Sequence, residues 1–211
     1  LPVREEILCA QRVSGLKKLG LAENMLTVVI TGGSQGARSL NYAMGEIYQR
    51  YREIKNVQFY HITGKSGYEE SLAYYHNNGI DIMNNPQVKI VPYLYQMEDA
   101  LAAADLIIGR AGASFLSEIM VRGIPSILVP YPYAAANHQE YNARAMEKRG
   151  AAKVILDRDL GEGKLLSVLG IIMNNAELRA KMGKAAREMG KVNALDDIIK
   201  IIVGISKNNQ R

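Results

Sequence analysis

Three stretches of this 211-residue chain combine residue types and spacings that suit an anionic, hydroxyl-rich ligand. The first is Gly32-Gly33-Ser34-Gln35-Gly36, which interrupts the β-branched run "LTVVIT" just before a segment of helical period beginning at Ala37. Its glycines let the backbone take positive φ and approach an oxyanion closely, and Ser34 and Gln35 add side-chain hydrogen bonds. At a helix start, unpaired N–H groups and the positive end of the helix dipole favour a phosphate. Taken alone, such a turn is equally consistent with a bare strand-to-helix connection. Its spacing is neither G-x-G-x-x-G nor a Walker loop with its lysine, which disfavours NAD and ATP.

The second stretch, "GRAGASFLSEI", repeats the strand-to-helix change. Ser114 is placed as a helix N-cap, and Glu118, one turn on, can aim a carboxylate at a ligand diol; the alternative is that Glu118 only complements the helix dipole. The third, "PYPYAAANHQEYNA", sets His138 and Gln139 near a helix start with the donors and acceptors that sugar hydroxyls need. An isolated His-Gln pair is otherwise ordinary exposed polarity.

The elements that position these residues follow from alternation. Six short apolar runs ("LTVVITG", "VQFYHITG", "VKIVPY", "LIIGRAG", "SILVPYP" and "AAKVILD") are separated by segments of helical period at 37–52, 67–78, 96–104, 115–122 and 137–149. Strands that are apolar along their whole length, joined by helix-length crossovers, predict a doubly wound α/β domain with a six-stranded parallel sheet covered on both faces. In such sheets ligands gather beyond the carboxyl ends of the strands, where all three stretches fall. After Asp159 the pattern is helical only, with segments expected at 163–174, 176–189 and 196–205. The length and the 48% hydrophobic content suit one domain over residues 1–211.

Composition narrows the function classes. Cys9 is the only cysteine, so neither an internal disulfide nor a Cys-rich zinc site is available. No run is long and apolar enough for a membrane span, and "LPVREEIL" is too charged for a signal peptide, so a cytoplasmic location is expected. The net charge of +5 suits an anionic ligand, an acidic membrane surface or nucleic acid. The 12 tyrosines are scattered and form no stacking platform, which sets nucleic acid aside. The triplet Asp157, Arg158, Asp159 has the form of a metal-holding D-x-D, although Asp159 reads more simply as a cap for the next helix. The basic segment "RAKMGKAAREMGK" reads as a solvated helix face, with contact to anionic lipid as the alternative.

The motifs "TGGSQGARSLN", "RAGASFLSEI" and "PYPYAAANHQEYNA", in this order and at these separations, resemble the MurG-type glycosyltransferases of family 28. Those enzymes have the two-domain GT-B fold and move N-acetylglucosamine from UDP-GlcNAc onto lipid I, the undecaprenyl-diphosphate-linked muramyl pentapeptide. The likeness spans nearly the whole chain and concerns the C-terminal, donor-binding half. "PVREEIL" is similar to the segment that leads into that half, so the chain is expected to be part of a longer protein whose N-terminal acceptor domain lies outside it. A stand-alone nucleotide-sugar-binding subunit and a related glycolipid transferase remain the alternatives.

Carried onto this sequence, the resemblance implies that Ser34, Gln35 and Gly36 meet the diphosphate and that Leu94 meets the uracil edge through its backbone. Glu118 is implied to hold the ribose hydroxyls, with Ala113 and Ser114 beside the phosphates and sugar. His138 and Gln139 are implied to bind the GlcNAc hydroxyls, with Arg4 and Arg110 as neighbours. The family usually has threonine where this chain has Phe115, and often aspartate where it has Ala136. Neither a metal nor another cofactor is implied. The catalytic base and the peripheral membrane contact are expected in the N-terminal domain.

Overall fold

The computed structural model describes residues 1–208. Its six strands, β1 (Leu26–Thr31), β2 (Val57–Ile62), β3 (Val88–Val91), β4 (Leu106–Gly109), β5 (Ser126–Leu128) and β6 (Ala152–Val154), form one sheet in the order β3-β2-β1-β4-β5-β6. Every pairing is parallel; Val29 lies between Tyr60 and Ile107 at the centre. The strand order reverses between β1 and β4, so the helices leave to opposite faces there and open a crevice at the carboxyl edge.

Side-chain alternation along each strand divides the core in two. Val28, Ile30, Leu106 and Ile108 pack on one face beneath α3 (Arg38–Tyr51), α4 (Tyr68–Asn77) and α8 (Lys164–Met173). Val29 and Ile107 face the other side, beneath α5 (Met97–Ala103), α6 (Ala113–Arg122) and α7 (His138–Lys148). Both faces are apolar because both are covered, which is why the strands read as continuous hydrophobic runs. The C-terminal helices α9 (Ala176–Met189) and α10 (Ala194–Asn208) complete the described residues; α10 leaves Leu195, Ile201 and Ile202 exposed.

Two helices were not expected from periodicity, α1 (Glu5–Cys9) and α2 (Arg12–Leu19). They pack Ile7, Leu16 and Leu19 into the second core. Two expected caps are corrected. Helix α6 starts two residues early, at Ala113, with Gly112 rather than Ser114 as its N-cap. Asp159 belongs to a short 3-10 turn, Asp157–Asp159, and α8 is preceded by Gly163 in the left-handed region, with no side-chain cap. Among the described residues no helix is long and apolar enough to cross a membrane.

Candidate functional site: a cleft at the sheet's switch point

The carboxyl ends of β1 and β4 open into a cavity of about 590 Å³. Ser34, Gln35 and Gly36 line it after β1, Arg110 after β4 and Gln139 from α7, and Leu94 contributes from the segment after β3. Gly36, just before α3, and Gly112, the N-cap of α6, both line it, and neither helix has a side-chain cap. Two helix N-termini therefore meet at one cavity with N–H groups that no capping side chain has claimed, the arrangement that favours bound phosphate oxygens.

The phosphate-type turn is shaped by a second loop. Gly36 has φ +81° and Gly64, after β2, has φ +85°. A Cβ on Gly36 would overlap the Thr63 carbonyl oxygen, and one on Gly64 would overlap the backbone of Gly36. At the surface Ser66 Oγ donates to the Gln35 carbonyl at 3.1 Å. The two loops thus interlock where only glycine fits.

Arg110 is the cation of the lining, and its guanidinium is held on four sides. Nη1 donates to the carbonyls of Val129 at 3.1 Å and Pro130 at 3.2 Å and to Asp157 Oδ1 at 2.5 Å. Nη2 donates to Ser39 Oγ at 3.3 Å, and Ser39 Oγ in turn donates to Asp157 Oδ1 at 2.7 Å. Asp157 Oδ1 is thereby committed to Arg110 and Ser39, and Asp159 pairs instead with Lys164 at 3.5 Å, so the two carboxylates of the D-x-D triplet serve separate ion pairs.

Gln139 is equally constrained. Its side-chain oxygen accepts the backbone N–H of Ala111 and that of Tyr131, both at 3.1 Å, joining the loops after β4 and β5. Only its amide N–H groups are left to face a ligand.

A family model described as the glycosyltransferase family 28 C-terminal domain matches residues 27–200. The chain belongs to that family. It is 48% identical over 203 residues to a UDP-N-acetylglucosamine--N-acetylmuramyl-(pentapeptide) pyrophosphoryl-undecaprenol N-acetylglucosamine transferase of Moorella thermoacetica, covering 96% of this chain and 55% of that protein. A protein of the same name from Desulforamulus reducens is 44% identical over 210 residues, covering 100% of this chain and 56% of its own length. The chain spans about half the length of the curated relatives it matches. Among solved structures, Acinetobacter baumannii MurG superposes with a TM-score of 0.73 at 28% identity, covering 94% of this chain and 55% of that one. The S. aureus MnaA–UDP structure, at 10% identity and a TM-score of 0.64, covers 89% of this chain and 47% of that one and shares the fold.

Within this family 28 domain, the cavity gathers Ser34, Gln35, Gly36, Leu94, Arg110 and Gln139 of the expected site residues. Ala113, Ser114 and His138 are exposed around it without being part of its lining. His138 makes a 2.8 Å hydrogen bond from Nδ1 to the Ala135 carbonyl, after a turn in which Ala136 and Asn137 both have positive φ. Such strain is tolerated by asparagine better than by alanine. Glu118 also stands outside the lining, 4.0 Å from Arg4, which is itself 3.9 Å from Glu98. Burial pushes the Glu118 carboxyl above its usual range; Arg4 opposes the shift and Glu98 adds to it. As the sixth residue of α6, Glu118 is beyond the first turn, so the helix dipole does not account for it.

Sequence reasoning missed Phe115 as a wall residue. It lines the cavity with Met97, Leu94 and Ile62 and adds to its apolar surface. Also missed were Asp157 and Ser39, whose part in holding Arg110 has no signature in spacing.

Proposed function

We propose that this chain is the donor-binding half of an inverting N-acetylglucosaminyltransferase that takes its sugar from UDP-GlcNAc and delivers it to lipid I in peptidoglycan synthesis. The observation that carries this reading is the cavity at the switch point, where two uncapped helix N-termini face the Ser34–Gly36 turn. The names of its relatives supply the donor and acceptor. The turn and both helix starts receive the diphosphate, Leu94 the base, Glu118 the ribose and the amide of Gln139 the sugar.

The same groups serve the chemistry. As the bond from the sugar to UDP breaks, negative charge grows on the departing diphosphate, and preorganised N–H groups and the Arg110 guanidinium stabilise it. That role asks for no divalent metal. Inversion also needs a base on the opposite face of the sugar, and no histidine here is placed for it. His61 is buried, His76 lies on α4 outside the lining, and His138 is engaged with Ala135. The base, acceptor positioning and peripheral contact with the cytoplasmic face of the membrane are assigned to the N-terminal half of the full-length protein.

Calorimetric titration of the chain with UDP, UDP-GlcNAc, ADP and free GlcNAc tests the reading. UDP and UDP-GlcNAc should bind, ADP much more weakly. Equal, negligible binding of all four at millimolar concentration overturns it. Turnover of UDP-GlcNAc with a lipid I analogue should require the N-terminal half, supplied in cis or as a separate polypeptide.

A further inference from the structure

Directly behind the diphosphate turn lies a buried polar chain that the proposed chemistry does not use. Tyr48, His61, Asn41, Thr63 and Ser71 are all at most 1% exposed. Tyr48 O–H donates to His61 Nδ1 at 2.8 Å, and His61 Nε2–H donates to Asn41 Oδ1 at 3.0 Å. The Asn41 amide spends its two hydrogens on the Thr63 carbonyl at 3.0 Å and on Ser71 Oγ at 3.1 Å. Ser71 Oγ donates onward to the Gly67 carbonyl at 2.5 Å, and the Tyr75 hydroxyl donates to the Asn41 carbonyl. Every hydrogen-bonding position of the Asn41 side chain but one lone pair is filled, which fixes the orientation of its amide. Burial lowers the pKa of His61 to about 3, so the ring stays neutral and keeps one donor and one acceptor.

A buried polar network costs desolvation that apolar side chains would not incur, so its position in the fold is informative. Asn41 sits in the first turn of α3, the helix whose N-terminus forms the diphosphate site. The carbonyl it holds, that of Thr63, is the atom against which Gly36 is seated. We infer that Asn41 and His61 are positioning residues for the diphosphate turn, clamping the Thr63–Gly64 loop against Gly36 so that the turn's N–H groups keep their aim; the inference rests on the donor-site reading above. His61 acts through Asn41: by donating to Oδ1 it keeps the amide hydrogens directed at Thr63 and Ser71.

The test compares UDP with uridine by NMR or calorimetric titration of the full chain, in the unaltered protein and in Asn41→Ala, His61→Leu and His61→Gln. A positioning role predicts that Asn41→Ala lowers UDP affinity by about tenfold while uridine affinity changes less than about twofold. His61→Leu should act in the same direction, and His61→Gln, whose amide can donate to Asn41, should restore the ratio. Equal losses for UDP and uridine, or an unchanged ratio in a folded variant, overturn the inference. Hydrogen exchange on the unaltered chain tests it without any substitution. UDP, and not uridine, should slow exchange at Gly36 and Gly64 together, and protection confined to Gly36 overturns the coupling of the loops. If the unaltered chain shows no preference for UDP over uridine, it is the donor-site reading that falls.

Discussion

The Arg110 guanidinium meets the Asp157 carboxylate at 2.5 Å, joining the end of β4 to the segment after β6 across 47 positions of sequence. Their side chains are only 12% and 20% exposed, so the pair is shielded from solvent. Asp157 therefore both stabilises the fold and offsets a positive charge beside the site. Asp157→Asn should cost about 1–3 kcal/mol in chemical denaturation, because Arg110 keeps its carbonyl partners but loses the charged one. The same change should tighten UDP binding by roughly fivefold at low salt, with the gain fading as ionic strength rises. Unchanged UDP affinity at every salt concentration would show that Arg110 does not act on the phosphates.

Gly33 and Gly36 share a positive φ, +84° and +81°, but not their surroundings. A Cβ on Gly33 meets nothing within 4 Å, whereas one on Gly36 runs into Thr63. Gly33→Ala should cost about 1–2 kcal/mol in a urea titration, the strain of a left-handed alanine alone. Gly36→Ala should cost more and should also abolish UDP binding, since the loops can no longer interlock. Equal costs for the two substitutions would contradict the clasp between Gly36 and Gly64.

What could be read from sequence depended on whether the signal was local. Val28, Val29 and Ile30 reveal β1 because both faces of the sheet are covered, and the same logic exposes β2, β4 and β5, whereas the edge strands β3 and β6 carry the exposed Lys89 and Lys153 and show through their β-branched residues alone. Helices α1 and α2 escape it. They have five and eight residues, and α2 contains Gly15, where a Cβ would sit 2.5 Å from the Asp99 carbonyl. Ser114 and Asp159 look like caps by residue type, yet the backbone turns at Gly112 and Gly163 decide where those helices start. The glycine turn and Gln139 were legible as candidates through their motifs and Leu94 through the family resemblance, and all of them line the cavity. The double acceptor role of Gln139 and the grip of Asp157 on Arg110 were not, since both join segments brought together only by the sheet.

In the proposed donor site Glu118 holds the ribose hydroxyls most strongly when ionised, and burial holds its pKa above the usual carboxylate range. UDP affinity should therefore fall on acidification at a higher pH than an ordinary glutamate would give. Glu118→Gln should weaken UDP binding by about one to two orders of magnitude at neutral pH and flatten this dependence. Stability moves the other way. A carboxyl with a raised folded pKa favours the folded state when protonated and penalises it as pH rises through that pKa, so Glu118→Gln should slightly raise the melting temperature at neutral pH. A sharp drop in melting temperature with UDP affinity intact would assign Glu118 a structural role.

Gln139 offers a way to separate architecture from sugar recognition. Its oxygen ties the Ala111 and Tyr131 N–H groups, so Gln139→Ala leaves two backbone donors without their partner and loosens both loops. From sequence alone, that substitution is expected to spare UDP and reduce only the preference for UDP-GlcNAc over UDP-GalNAc. The structure instead predicts a stability loss of about 1–3 kcal/mol together with weaker UDP binding. Gln139→Glu keeps an acceptor for both N–H groups but removes the amide donors, so it should retain most of the melting temperature that Gln139→Ala loses. It should still lose the preference between the two epimeric sugars, because a site that hydrogen-bonds a hydroxyl discriminates by the partner it leaves unpaired. Thermal melts and paired titrations with UDP-GlcNAc and UDP-GalNAc check both variants. If Gln139→Glu keeps the wild-type preference, the sugar contact belongs to another residue and Gln139 serves the loops alone.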